Sequence, residues 1–159
     1  MVKFVLFLAT MALGFTAKAH VSLETPSAAA GSYYKAVVRV PHGCDGTATT
    51  GIQITIPKGF ITPKPMPKAG WSIEMDQNAQ GQVTEVRFVG GKLEDAFYDE
   101  FAFRGKVAAT AGTTLYFKVL QTCEKGQINW ADIPAAGQDE HELQAPAASL
   151  KVTAPTANP

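Results

Sequence analysis

The chain is short of the residues on which enzymes most often depend. It has two cysteines, Cys44 and Cys123, and three histidines, His20, His42 and His141, among 159 residues. No GxSxG elbow, HExxH pair or glycine-rich phosphate loop occurs, which removes the commonest hydrolase, zinc-protease and nucleotide-binding signatures. The cysteines lie much too far apart for a CxxC redox or zinc motif. Charge of one sign is lacking as well: 14 Lys and Arg balance 14 Asp and Glu. With no basic stripe and no interleaving of aromatic and basic residues, nucleic acid is excluded as the expected partner. The apolar run from Phe4 to Phe15 falls short of the roughly 20 residues that span a bilayer. Beyond it no segment shows a helical apolar stripe.

That early run has a different meaning. Lys3 precedes it, and Ala17-Lys18-Ala19 ends it with the small-x-small pattern of a secretory cleavage site. Residues 1–19 are therefore expected to be a signal peptide, with His20 as the first residue of the mature chain. The expected location is periplasmic or otherwise exported, with no membrane insertion after cleavage. In such an oxidising compartment Cys44 and Cys123 read as one disulfide. Residues 20–153 suit a single domain, and the Ala/Pro-rich end, residues 154–159, reads as a disordered tail.

Period two dominates the rest. Tyr34, Ala36, Val38 and Val40 alternate with Lys35, Val37 and Arg39; Ile52, Ile54 and Ile56 alternate with Gln53 and Thr55. Similar runs lie at 71–75, 86–89, 101–103, 115–120, 128–133 and 150–152, with a short one at 21–23. Runs of β-branched and aromatic residues between Gly, Pro, Asn and Asp turns predict antiparallel strands. About nine of them on this length predict an all-β, immunoglobulin-like sandwich. Cys123 shares the parity of Leu115, Phe117 and Val119, so its sulfur is expected to face inward. "TPKPMPKAGW" reads as a stiff Pro-rich loop, and Ala145-Pro146-Ala147-Ala148 as a connector.

An N-terminal histidine has unusual chemistry. Its α-amine and its imidazole Nδ1 can close a six-membered chelate ring on one ion, and nitrogen donors in a plane favour Cu(II). His42 lies in "VRVPHGCDG", a turn that a disulfide at Cys44 would stiffen, and is the next candidate donor. Asp45 beside it could supply an oxygen, although Asp before Gly is ordinary turn chemistry. His141, in the acidic "GQDEHELQ", is a weaker candidate for the third donor. Asp95, Asp99 and Glu100 read as a polar strand edge rather than an acid–base pair.

The ordered blocks "AHVSLETPSAAAGSYYKAVVRVPHGC", "TTGIQITIPKGF", "PKPMPKAGW", "YDEFAFRG", "LYFKVLQTC" and "INWADIPAAGQ" resemble the YcnI-like copper-binding domain family, long catalogued as a domain of unknown function. The resemblance covers nearly all of the chain after residue 19. It implies an exported Ig-like sandwich that holds Cu(II) through the amine and imidazole of the N-terminal histidine, with a carboxylate and a nearby tryptophan. His20 matches the first position and Trp130 the tryptophan. Where the family has Glu shortly after Val-Pro, this chain has Val40-Pro41-His42, so His42 stands where the acid would. The expectation is a copper-handling protein, not an enzyme, whose partners are the copper ion and another copper-handling protein. A copper oxygenase of the lytic polysaccharide monooxygenase type and a metal-free Ig-like adhesion or assembly module are the competing readings.

Overall fold

The computed structural model describes residues 20–155; the expected signal peptide and residues 156–159 of the expected tail lie outside the described residues. The strands are β1 (Ser22–Leu23), β2 (Ser27–Ala29), β3 (Tyr33–Val40), β4 (Thr49–Thr55), β5 (Phe60–Pro65), β6 (Ser72–Gln77), β7 (Val83–Leu93), β8 (Asp99–Val107), β9 (Thr114–Cys123), β10 (Gln127–Trp130) and β11 (Ala148–Thr153). They form two sheets, one ordered β1-β3-β8-β5 and the other β2-β11-β9-β4-β7-β6, with β10 also paired to β9. Pairing is antiparallel throughout except between β2 and β11, which run parallel. The architecture is the expected all-β sandwich.

Alternation builds the core. Along β3 the even positions Tyr34, Ala36, Val38 and Val40 are buried, and along β9 the odd positions Leu115, Phe117, Val119 and Cys123. Between the sheets Phe60 meets Phe103 and Phe117 edge-on, at ring separations of 5.7 and 5.3 Å. Each such phenyl contributes about 1.5–3 kcal/mol by leaving water. At the open edge, β6 and β7 carry a charged cluster in which Arg87 binds Glu74, Asp76 and Glu85. Hydrogen bonding from Arg87 holds the Asp76 carboxyl below its usual range, and a charged edge resists pairing with another chain.

Three expectations need correction. The segment "TPKP" is not loop but part of β5, whose prolines are tolerated because β5 is an edge strand pairing only with β8. The run expected at 128–133 ends as strand at Trp130, and Ile133 is 49% exposed. The Ala145–Ala148 connector is partly core: Ala147 and Ala148 are buried, and Ala148, the first residue of β11, pairs with Phe117.

Candidate functional site

Antiparallel pairing of β1 with β3 sets Ser22 opposite Arg39. The residue before β1 and the residues after β3 therefore share one end of the sandwich, which brings His20 and His42 together from 22 positions apart in sequence. The β9–β10 hairpin returns to the same end and sets Trp130 opposite Val119. Trp130 is 3% exposed. The His20 ring lies 5.9 Å from the indole and the His42 ring 6.2 Å from it, tilted 60° and 65° to its plane. Both imidazoles thus lie against one buried indole.

Beneath them lies a residue the sequence reading passed over. Gln121 is fully buried. Its Oε1 accepts from Trp130 Nε1 at 2.9 Å, while its Nε2 donates to the His42 carbonyl at 2.7 Å and to Thr49 Oγ1 at 2.8 Å. The amide can adopt only this orientation, because an indole N–H only donates and a carbonyl only accepts. Gln121 has the inward parity of Val119 and Cys123, so alternation alone marks it as a buried polar group that must find partners.

The loop carrying His42 is held on several sides. The Cys44–Cys123 disulfide has an S–S distance of 2.04 Å and spans 79 residues. Cys44 and Thr47 exchange backbone hydrogen bonds at 3.1 and 2.9 Å across Asp45-Gly46, both with positive φ, as in the Asp-Gly turns that close tight hairpins. Asp45 is therefore a turn residue, exposed and serving geometry. At Gly43 a Cβ would lie 1.9 Å from the Thr47 carbonyl oxygen, so only glycine fits. The Gly43 N–H donates to Asp95 Oδ1 at 3.0 Å, which gives Asp95 a structural task across 52 residues of sequence. Within the loop His42 Nδ1 lies 2.6 Å from the Gly43 carbonyl. Since that oxygen can only accept, Nδ1 carries a proton, and in the neutral ring the lone pair is then on Nε2.

Two hollows border His20. One, of about 130 Å³, is lined by His20, Pro26, Glu140, His141 and Pro146 among others. His141 sits in a 3₁₀ turn, Glu140–Glu142, capped by Asp139, so the fold returns it to the neighbourhood of His20 although it is exposed. The other, of about 500 Å³, is lined by His20, Ser22, Glu24, Arg39, Pro41, Tyr98 and Glu100. There Arg39 lies 3.6 Å from Glu24 and 3.9 Å from Glu100, and Asp99 pairs with Lys68 at 2.7 Å. The acidic residues of "LEDAFYDEF" are thus ion-paired or capping backbone, in keeping with a polar edge.

Among the described residues, no group of three or more His, Cys, Asp or Glu side chains is arranged to hold a metal ion. Side chains alone therefore do not make a closed cage. The histidines His20 and His42 offer nitrogen, the donor type suited to copper rather than to oxygen-seeking ions such as calcium.

Comparison with known proteins agrees with the architecture. Among solved structures the chain is similar to an uncharacterized protein from Nocardia farcinica with an immunoglobulin-like fold, at 24% identity and a TM-score of 0.73, covering 84% of this chain and 98% of that one. The sixth cohesin of scaffoldin B from Acetivibrio cellulolyticus aligns at a TM-score of only 0.41 and 11% identity, over 84% of this chain and 97% of that one. No curated protein matches. No helix among the described residues is long and apolar enough to cross a membrane. Residues 20–152 match the family profile described as a domain of unknown function (DUF1775), and the chain belongs to that family, the family of YcnI-like proteins.

Proposed function

We propose that this is an exported Cu(II)-binding protein that uses His20, as its mature N-terminus, to chelate copper for handling or delivery rather than for catalysis. The observation that carries the reading is the pair of imidazoles, His20 and His42, that both lie against the one buried indole of Trp130. The His42 tautomer leaves Nε2 as the ligating nitrogen, with Nδ1–H held by the Gly43 carbonyl, the outer-sphere contact that metal-bound histidines typically make. The His20 Nε2 is buried, which suits binding through Nδ1 together with the α-amine. Three nitrogens from two histidines would then hold the ion, and Trp130 would shield one face. A site at a chain terminus beside an open hollow suits an ion that must be passed on.

The test is Cu(II) competition titration on three proteins: the chain starting at His20, the same chain with Met in front of it, and His42→Ala. The Met extension removes the free amine from His20 and should cost orders of magnitude in affinity, each factor of ten being about 1.4 kcal/mol. His42→Ala leaves the chelate ring and should cost less. Equal affinity with and without the extra Met would refute the chelate and favour a metal-free Ig-like module.

A further inference from the structure

The sequence shows no basic stripe, yet strand register assembles a basic patch. On the outer face of the β1-β3-β8-β5 sheet, Lys35 of β3 lies opposite Arg104 of β8, and Arg104 lies opposite Lys64 of β5. Lys106, two residues along β8 on the same face, is flanked by Tyr33 on one side and Ile61 on the other. All four cations are exposed. Neighbouring strands are about 4.8 Å apart, so three of the charges fall in one row roughly 10 Å long. Like charges directly opposite each other oppose folding. None of the four makes an ion pair among the described residues, where the paired cations are Arg39, Lys68, Arg87 and Lys92. Arg104 instead stacks over the Tyr33 ring at 4.3 Å. Tyr33 is 63% exposed and Ile61 40% exposed.

We infer that this face is an interaction surface for an anionic lipid bilayer, on which the protein lies peripherally. Four uncompensated cations complement a negatively charged surface, whatever the copper site does. Three of the cations are lysines, whose long stems can follow mobile headgroups. An exposed tyrosine and isoleucine in the same two rows supply the amphipathic ring and apolar contact that favour the headgroup boundary. The acidic residues of this sheet, Asp99 and Glu100 at the start of β8, and Glu24 just after β1, lie toward the His20 end and are engaged by Lys68 and Arg39. Binding through the basic half therefore leaves the His20 end of the sandwich accessible.

Vesicle co-sedimentation of the chain starting at His20 tests this, with phosphatidylglycerol–phosphatidylcholine vesicles against pure phosphatidylcholine. Binding should require the anionic lipid and weaken as salt is raised. Each basic residue at such a surface changes partition about fivefold, so Arg104→Gln with Lys106→Gln should lower it about twenty-fivefold. The matched control is Lys118→Gln with Lys151→Gln, which removes the same charge from exposed positions of the other sheet and should change it little. Absence of binding to the anionic vesicles, or equal loss in the two double variants, would overturn the assignment. So would face-dependent binding to polyglutamate with none to vesicles, which would make an acidic protein the occupant.

Discussion

Replacing Gln121 by methionine keeps the length of the side chain and removes its amide. One buried group then loses its partner, the Trp130 indole N–H, on a residue 3% exposed; the Thr49 hydroxyl, on a residue 0% exposed, loses the Gln121 donor and keeps the weaker contact with Cys123 Sγ at 3.8 Å. A buried polar group left unsatisfied costs about 1–3 kcal/mol. The His42 carbonyl belongs to a half-buried residue and can turn to water. The expected loss is therefore about 1–3 kcal/mol, a substantial share of the 5–15 kcal/mol typical of a domain, read by urea unfolding of the metal-free protein. Gln121→Glu sharpens the test. An ionised carboxylate there still accepts from Trp130 but has nothing to donate to His42 or Thr49, whereas the protonated acid has. Burial and the facing carbonyl raise its pKa in the folded state above the unfolded value of about 4.3. The folded variant thus binds its proton more tightly, so its stability is full below that unfolded pKa and falls as pH rises through the folded one. Relative to the parent protein at each pH, the variant should be closest near pH 4 and worst above neutrality. A methionine variant within 0.5 kcal/mol of the parent, or a glutamate variant whose deficit does not change with pH, would refute the network.

Two further outcomes follow from the fold. The Tyr34 hydroxyl donates to the Thr25 carbonyl at 2.5 Å, and its pKa is pushed up to about 12 by burial and then by Glu24; stability should therefore decline between about pH 10, the unfolded value, and pH 12, and decline less in Tyr34→Phe, measured by thermal unfolding across that range. The double variant Cys44→Ser, Cys123→Ser opens a loop of 79 residues and should lose about 2–5 kcal/mol in urea unfolding; an unchanged midpoint would show that the bridge is dispensable.

The sheets were legible because alternation is a direct consequence of strand geometry. The parity argument put Cys123 inward, and the bridge to Cys44 is there. The same argument extended one step would have exposed Gln121, an inward polar residue between Val119 and Cys123. It was missed because a lone glutamine carries no motif. β5 was misread for an opposite reason: its prolines mark a local preference, and only its edge position makes them harmless. The place of His141 beside His20 has no signal in the sequence, since an exposed three-residue 3₁₀ turn held by its own Asp139 cap gives no sign of which end of the sandwich it meets. The cleavage pattern and chelate chemistry mark His20, resemblance alone marks Trp130, and the antiparallel register of β1 with β3 brings His42 to them.

Neutral net charge, which argues against nucleic acid as a partner, conceals a segregation that only register reveals. Near His20 the cation Arg39 is shared between Glu24 and Glu100, and Lys68 is taken by Asp99. On the outer face of the same sheet Lys35, Lys64, Arg104 and Lys106 stand together without such partners. Positions 35, 64, 104 and 106 are too scattered to form a run, and the sum of charges over the chain averages them against acids elsewhere. A sheet, unlike a helix, joins residues from distant segments into one row, so its electrostatic surface is set by pairing and not by sequence proximity. The consequence is two separable regions on one small sandwich. Substitutions among the four cations should leave Cu(II) affinity unchanged, and a Met placed before His20 should leave vesicle binding unchanged. Loss of both properties in either variant would mean that the two regions act as one site.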